Sequence, residues 1–350
     1  MDDSLSVVVL AYGPEPHLEA CISSILANEV VTEILIVDNG ATDAIDRVPD
    51  HPAIRIVSPG HNTGFAGGCN LAAAAATGDT LVFVNSDAEL APDACAVLQA
   101  RLEDTSVGMV TASIRFAEHP EAINSVGNPV QFLMFSWAGS FGSAAAEHEE
   151  GGPVASVSGA TFAIRRELWL ALDGFSPSYF AYGEDLELSM RTWLAGYQVI
   201  YEPRAIARHW YEFSRTPTKL YLLERNRLMT MLTIYEKATL LRLLPIALFV
   251  EFGVLVTAIR NRWARQKMAG WWWIVQNRAQ VSARRRFVQA ARTQSDSLLA
   301  ELLQAQIDPP PDMGFAVPPA LNRLLSRQWG YVASSIRKRA IGGRLRSQQS

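Results

Sequence analysis

Five groups of residues carry side chains suited to chemistry, each at a junction between an apolar run and a turn. Asp38 closes the run EILIVD and precedes Asn39-Gly40. A carboxylate at a strand end can accept hydrogen bonds from a ligand, and Asp before Asn-Gly also makes a good turn. Asn85-Ser86-Asp87 follows the apolar run TLVFV. Asp87 offers an oxygen to a divalent cation, and a cation on a diphosphate needs only one or two protein carboxylates because phosphate and water complete its shell. The same triplet equally suits a helix N-cap. His61 to Asn70, HNTGFAGGCN, is glycine-rich and leads into an alanine-rich stretch, so its backbone can approach a bound group closely. It lacks the Gly-Lys-Ser/Thr ending of a P-loop and does not follow the first strand, as a dinucleotide fingerprint would. Gly183-Glu184-Asp185-Leu186-Glu187 gathers three carboxylates at a helix start. The helix dipole stabilises them there, and Asp185 is placed to act as a general base. His209, between Arg208 and Trp210, offers a neutral imidazole to a metal or packs as an ordinary buried ring.

The elements that must position these groups follow from the apolar pattern. Ser6 to Tyr12, Glu33 to Asp38, Ile54 to Ser58 and Thr80 to Asn85 are short runs with little alternation, as expected for strands buried on both faces of a parallel sheet. Helical stretches over 17–27 and through Ala76 separate them, which predicts an α/β sheet with right-handed crossovers. Ligands collect at the carboxyl ends of such strands, where Asp38 and Asn85-Ser86-Asp87 would both sit. Residues 117–157 read as loops, with Glu147 to Glu150 as a solvated tip. Val157 to Arg165 reads as a strand, Glu184 onward as a helix, and Val199 to Tyr201 as a short strand before His209.

The chain has 350 residues, 49% hydrophobic and 19% charged, which excludes a disordered polypeptide and suggests two structural units. The formal net charge of −4 conceals a division. Residues 236–350 carry 18 Lys and Arg against 6 Asp and Glu, a net +12, which leaves −16 on the rest. That asymmetry predicts an acidic enzyme-like body joined to a segment that meets something negative. The three cysteines, Cys21, Cys69 and Cys95, form no CxxC pair or zinc spacing, and the acidic start Met1-Asp2-Asp3-Ser4 is not a secretory signal, so a cytosolic setting is expected.

Leu243 to Ile259 holds 17 residues with one charge, Glu251, and one proline, Pro245, slightly short of the roughly 20 needed to span a bilayer. Arg260, Arg262, Arg265 and Lys267 follow it, then Trp271-Trp272-Trp273, Arg278 and Arg284-Arg285-Arg286. Apolar helix, tryptophans and cations together suggest a segment in an anionic membrane interface, with a buried helical hairpin as the alternative. Pro309-Pro310-Pro311 marks a break, and the tail with Arg337-Lys338-Arg339, Arg344 and Arg346 is expected to be poorly ordered.

In order along the chain, VVVLAYG, ILIVDNG with Thr42-Asp43, HNTGFAGGCN, LVFVNSDAEL, SGATFAIRRELW, LDGFSPSYFAYGEDLELSMR and Glu224-Arg225-Asn226 resemble the inverting family-2 glycosyltransferases of the GT-A fold, most closely their bacterial rhamnosyltransferase-like branch. The match covers about residues 5–230. It implies a Rossmann-like, mostly parallel central sheet flanked by helices over 1–235, followed by a helical membrane-interface region over 236–305 and a Pro-rich break and basic tail over 306–350. It implies a metal-dependent transferase using a nucleotide-diphosphate sugar, dTDP- or UDP-linked, and a glycan or lipid-linked acceptor, with no nucleic acid as partner. The enzyme would sit at the cytoplasmic face of the cell membrane. L-Rhamnose from dTDP-rhamnose leads, a UDP-hexose or galactofuranose donor is the alternative, and an inactive membrane scaffold is a third reading.

The resemblance also distributes roles. Asp38 would recognise the nucleotide base, with Ala11, Tyr12, Asn62, Gly64, Phe65, Gly68, Asn70, Asn85 and Ser86 completing the donor site. Asp87 and His209 would hold Mg²⁺ or Mn²⁺. Asp185 would deprotonate the acceptor hydroxyl, with Gly159, Ala160, Glu184, Arg225 and Asn226 around acceptor and sugar. Asn85 stands where the first Asp of an Asp-x-Asp motif is expected, and Glu187 where an Asp is commoner.

Overall fold

The computed structural model describes residues 4–211, 216–310 and 317–347, with side chains through 338. It divides into two compact units, one of residues 1–128, 138–192 and 197–213, the other of 129–137, 193–196 and 214–350.

The first unit is an α/β layer structure. Its elements are β1 (Leu5–Gly13), α1 (Leu18–Leu26), β2 (Val31–Ala41), β3 (Ile54–Val57), α2 (Gly64–Ala75), β4 (Thr80–Asn85), β5 (Ala88–Leu90), α3 (Ala94–Leu102), β6 (Val107–Phe116), β7 (Ile123–Ser125), β8 (Gly152–Pro153), β9 (Thr161–Arg165), α4 (Arg166–Ala171), α5 (Glu184–Leu194) and β10 (Gln198–His209). The main sheet runs β3-β2-β1-β4-β9-β6-β10-β5. β1 is parallel to β2 and β4, and β2 to β3, as their unbroken apolar runs require. β9 enters antiparallel between β4 and β6, so the sheet is mixed at its centre. Leu5, Val7, Val8 and Val9 of β1 are at most 1% exposed, covered on both faces.

Several elements differ from expectation. The strand expected from Val157 begins only at Thr161, residues 157–160 turning aside so that Gly159 N–H meets the Asp185 carboxylate. Val199 to Tyr201 is the start of a twelve-residue strand. Pro203 lies within it: the pairing of β10 with β6 passes from Glu202↔Ala112 to Ile206↔Ser113, and the bulge between them absorbs the proline. β6, unrecognised in the sequence, carries Thr111 and Ser113 amid its apolar residues. Both are buried, Thr111 donating to the Thr161 carbonyl at 3.2 Å.

The second unit is helical: α6 (Pro217–Ile234), α7 (Lys237–Arg260), α8 (Ala264–Gln276), α9 (Arg278–Ala291), α10 (Asp296–Leu302) and α11 (Pro319–Ser347). The tail is therefore helix rather than loose chain; the side chains of Arg339, Arg344 and Arg346, the residue Pro311 and the segments 1–3, 212–215 and 348–350 lie outside what is described. Residues 129–137 are stitched in by Tyr235 Oη donating to the Phe132 carbonyl at 2.7 Å and Gln131 Nε2 to the Ala305 carbonyl at 3.1 Å. The Phe132 ring stacks on Trp329 at 4.9 Å.

At the centre of this unit Lys267, fully buried, ion-pairs with Glu224 and with Glu251 at 2.6 Å, while Arg227 pairs with Glu251 and with Glu224 at 3.0 Å. Trp271 Nε1 also donates to Glu251, at 2.7 Å. Burial alone would raise the Glu224 carboxyl, yet Arg227 and Lys267 outweigh it and hold the group at about 2. The tryptophan triplet therefore divides: Trp271 serves this cluster, Trp273 lies under Arg225 at 4.7 Å, and Trp272 is 61% exposed.

Candidate active site

Three parallel strands end together at one edge of the first unit. Ala11 pairs with Asp38 and the neighbouring Leu10 with Asn85, so the ends of β1, β2 and β4 form a continuous ledge. Asp38 Oδ1 accepts from Gly40 N at 3.2 Å and Ala41 N at 3.1 Å, so the turn reading of this residue holds in the structure. Tyr12, 57% exposed, stands beside Gly40 on the same ledge.

Asn39, which the sequence did not single out, fixes the glycine-rich loop. Its Oδ1 accepts from Thr63 N at 2.9 Å and Thr63 Oγ1 at 3.0 Å, and its Nδ2 donates to Asn62 Oδ1 at 3.0 Å. Asn62 Oδ1 in turn accepts from Gly64 N at 2.8 Å. Gly64 has φ +72°, and a Cβ there would strike the Phe180 carbonyl, so glycine is required on both conformational and steric grounds. The other candidates in this loop face inward. Gly68 makes room for Leu10 and Val37, Phe65 lies 5.9 Å from the Phe175 ring, and both ends of the Asn70 amide are taken by Phe175, at 2.7 and 2.9 Å. These three residues shape the loop from beneath.

Asp87 lies just beyond β4. β10 returns antiparallel to β5, pairing His209 with Ala88, and Trp210 N donates to the Asp87 carbonyl at 2.9 Å. This brings His209 Nε2 within 3.1 Å of Asp87 Oδ1, although the residues are 122 apart in sequence. His209 Nδ1 meanwhile lies 3.1 Å from Asn124 Oδ1. Both ring nitrogens thus face oxygen, while a neutral imidazole has a single N–H. Asp87 and His209 could together hold a divalent cation, with Asn124 against the other ring nitrogen. Asp87 keeps 37% side-chain exposure, leaving an open side. Among the described residues no group of three or more His, Cys, Asp or Glu forms a self-sufficient metal site, so a cation here must take further ligands from a substrate or water.

Glu15 is the main residue the sequence reading missed. It adopts φ +39° between two prolines, accepts from Tyr12 N at 2.9 Å and from Ser86 Oγ at 2.7 Å, and so ties the end of β1 to that of β4. Burial pushes its carboxyl up, against hydrogen bonds that pull it down, with Asp87 adding to the rise. Pro14-Glu15-Pro16 gives no periodic signal; only the bracketing by two prolines marks a fixed turn.

Asn85 N donates to the Ala160 carbonyl at 2.9 Å, which joins the Asp87 end of the ledge to the loop 157–160. The preceding residue, Gly159, donates its N–H to Asp185 Oδ2 at 3.0 Å, and a Cβ at Gly159 would lie 3.3 Å from that oxygen. Asp185 Oδ1 accepts from Leu186 N at 2.8 Å in the first turn of α5. Phe180, Tyr182 and Gly183, with φ of 64°, 70° and 86°, lead into this helix, a strained approach of the kind that concentrates at working sites. Stacking of Phe83 on Phe162 at 4.7 Å and on Trp169 at 4.6 Å supports the neighbouring strands and α4. Glu187 turns away entirely: Arg191 binds it at 2.7 and 2.9 Å and also donates to the Leu172 and Gly174 carbonyls, so Glu187 anchors α5.

Burial raises the Asp185 carboxyl despite the two backbone donors. Glu184 is raised to about 8, first by burial and then by Asp185, and its Oε2 meets no hydrogen-bond partner among the described residues. Because the folded value exceeds the ordinary 4.5, this group's contribution to stability is complete below pH 4.5 and disappears as pH rises through about 8. Glu184→Gln is therefore expected to flatten the fall in urea midpoint between pH 5 and 9. At pH 9 it should leave the variant more stable than the parent by a few kcal/mol, on the order of 3. Equal pH slopes for the two proteins would show that the carboxyl ionises at its ordinary value.

Arg225 and Asn226 belong to the second unit, where Arg225 Nε donates to Asn226 Oδ1 at 2.9 Å and the guanidinium stacks on Trp273.

Residues 6–170 match the family model for glycosyl transferase family 2. The chain is 28% identical over 237 residues to an N-acetylglucosaminyl-diphospho-decaprenol L-rhamnosyltransferase of Mycobacterium tuberculosis, covering 60% of this chain and 76% of that protein. It is 26% identical over 218 residues to an N-acetylglucosaminyltransferase of Sinorhizobium fredii, covering 58% of this chain and about half, 52%, of that relative. A crystal structure of GalNAc-T7 with UDP, GalNAc and Mn²⁺ shares the fold at TM-score 0.54 and 15% identity, over 67% of this chain and 48% of that one. With this family model over the strands that build the ledge, and a GT-A architecture beneath it, the chain is a glycosyltransferase carrying a family-2 domain.

Proposed function

We propose that the protein transfers L-rhamnose from a dTDP donor to a polyprenyl-linked or other membrane-bound glycan, inverting the anomeric carbon, with the first unit as its catalytic body. The placement of Asp185 carries the reading: a buried carboxylate aimed by Gly159 N–H, on a loop whose next residue is bonded to the strand leading to Asp87. The acceptor oxygen attacks the anomeric carbon, its proton passes to Asp185, and the bond from that carbon to the diphosphate oxygen breaks. Asp38 and the neighbouring backbone of the ledge would hold the nucleoside, and the Asn62–Gly64 turn would line the donor side. Asp87 and His209 would hold Mg²⁺ or Mn²⁺, which when bound offsets charge on the departing diphosphate. The similarity to the mycobacterial rhamnosyltransferase favours the rhamnosyl donor, and the weaker similarity to an N-acetylglucosaminyltransferase makes a UDP-sugar the second reading. The cationic 236–350 region would keep the enzyme peripheral at the cytoplasmic face of the membrane.

A thermal-shift screen of dTDP-, UDP- and GDP-sugars with Mn²⁺ tests this. At 100-fold over Kd, dTDP-L-rhamnose should stabilise the protein by about 2.7 kcal/mol, a rise of several degrees, and the gain should vanish with EDTA and in Asp87→Ala. Stabilisation by a UDP-sugar alone would move the assignment to the second reading.

A further inference from the structure

The surface of the second unit divides sharply between an ionic interior and an apolar exterior, and α7 lies across that division. Leu241, Leu244, Leu248, Phe252, Val256 and Ile259 are each 41–66% exposed. At 100° per residue they fall within about a third of the helix circumference, forming one continuous stripe along its length. Leu243, Ile246, Ala247 and Val250, on the other side, are buried. Met268, Trp272 and Val275, at helical spacing on α8, continue the exposed apolar surface.

We propose that this surface beds into an anionic bilayer with α7 lying in the membrane plane rather than crossing it. The inference deepens the membrane attachment proposed above and rests on it, while leaving donor and acceptor aside. By length α7 could cross: its 24 residues extend about 36 Å. Glu251 forbids it. It sits within about 4 Å of the helix midpoint and is tied to Lys267, Arg227 and Trp271, whose helices would have to follow it into the hydrocarbon. α6, which supplies Arg227 and Glu224, exposes a single large apolar side chain, Leu223, and so offers lipid no stripe of its own. One side of α7 is thus committed to protein, and only the stripe is available to lipid.

Charge selects the occupant. Between Glu251 and Asp296 the chain contains nine Lys and Arg and no acidic residue. Exposed Arg260, Arg262 and Arg265 follow directly on the stripe, and Arg265 shares the α8 face with Met268 and Trp272. A second copy of the chain would set these cations against their like, whereas anionic headgroups complement them and bury the leucines and phenylalanine beside them.

Flotation of the full chain with phosphatidylcholine vesicles and with 7:3 phosphatidylcholine/phosphatidylglycerol vesicles tests the assignment. The parent should bind the anionic vesicles at least tenfold more tightly. The triple variant Leu248→Ser, Phe252→Ser, Trp272→Ser should lose at least tenfold in that binding at unchanged Tm, since all three side chains are exposed. Spin labels on Leu241→Cys, Phe252→Cys and Ile259→Cys should report equal shallow depths, the native cysteines being buried. Depths that run from one leaflet through the centre to the other would overturn the in-plane orientation. Unchanged flotation of the triple variant would overturn the surface, and a dimer that this variant dissolves, with no vesicle binding by the parent, would replace lipid by a second copy. Intact vesicle binding without transfer to a water-soluble acceptor analogue would strike the proposed reaction and leave this inference standing.

Discussion

Asp185→Asn is expected to fold, to bind donor as the parent does, and to transfer sugar about 10³-fold more slowly, within the range by which positioned general bases accelerate proton transfer. The amide keeps the size of the carboxyl, and its single oxygen can accept from Leu186 N or from Gly159 N, so one of the two anchors is retained. What it loses is a basic oxygen for the acceptor proton. The parent's pH profile carries a second sign of the same group. Burial holds the Asp185 carboxyl above the ordinary carboxylate range, and the base must be ionised, so the acid limb of kcat should fall at a pH higher than a solvent-exposed Asp would give. Glu184 beside it ionises only near 8, after Asp185, so it is neutral through that limb and Glu184→Gln should leave the limb in place. Stopped-time transfer assays from pH 4 to 9, together with donor titrations by calorimetry, check both points. Near-parental turnover in Asp185→Asn would remove the residue from the mechanism.

Lys267→Met should be the most destabilising single change in the helical unit, costing about 3–5 kcal/mol, because it strands buried carboxylates that had shared two cations. Methionine nearly fills the volume of the lysine stem, so the loss is electrostatic rather than a cavity. In the parent, Glu224 and Glu251 are each engaged by both Lys267 and Arg227; in the variant only Arg227 remains for the pair. Adding Glu251→Gln removes the surplus negative charge and should recover a large part of the loss, which a double-mutant cycle by urea denaturation would read as coupling of roughly 1–3 kcal/mol. Additive losses would show that the two residues act independently.

The candidate residues were visible in the sequence where apolar strands end, since that is where a parallel sheet must release its chain. Asp38, Asp87 and the 61–70 loop were legible for that reason. Their partners were not. Asn39 and Glu15 lie in turns without periodicity, and Asn124 reaches His209 from a short strand, β7, within a stretch that reads as loop. Pairing across 122 residues, as between Asp87 and His209, leaves no trace in local spacing. β6 escaped notice because Thr111 and Ser113 interrupt its apolar run, and Thr111 finds its partner, the Thr161 carbonyl, only in the folded sheet. Glu187 shows the converse. Its place in the acidic cluster suggested chemistry, and its salt bridge to Arg191 makes it an anchor. The apolar 243–259 run suggested both a membrane segment and a buried helix, and α7 has a face of each kind, which composition cannot resolve without knowing where Glu251 points.

The stitching of residues 129–137 into the helical unit has a consequence for the order in which the protein can be made. Phe132 leaves the ribosome about 200 residues ahead of Trp329, the ring it stacks on, and about 100 ahead of Tyr235, which bonds its carbonyl. At roughly 5–20 residues per second, the nascent chain must carry Phe132, Leu133 and Met134 without their final neighbours for about 10–40 seconds. The sheet strands that follow them, β9 and β10, emerge during that interval. A chain halted before α11 would thus present a finished sheet with a greasy loop still waiting, a natural point of contact for a holding chaperone.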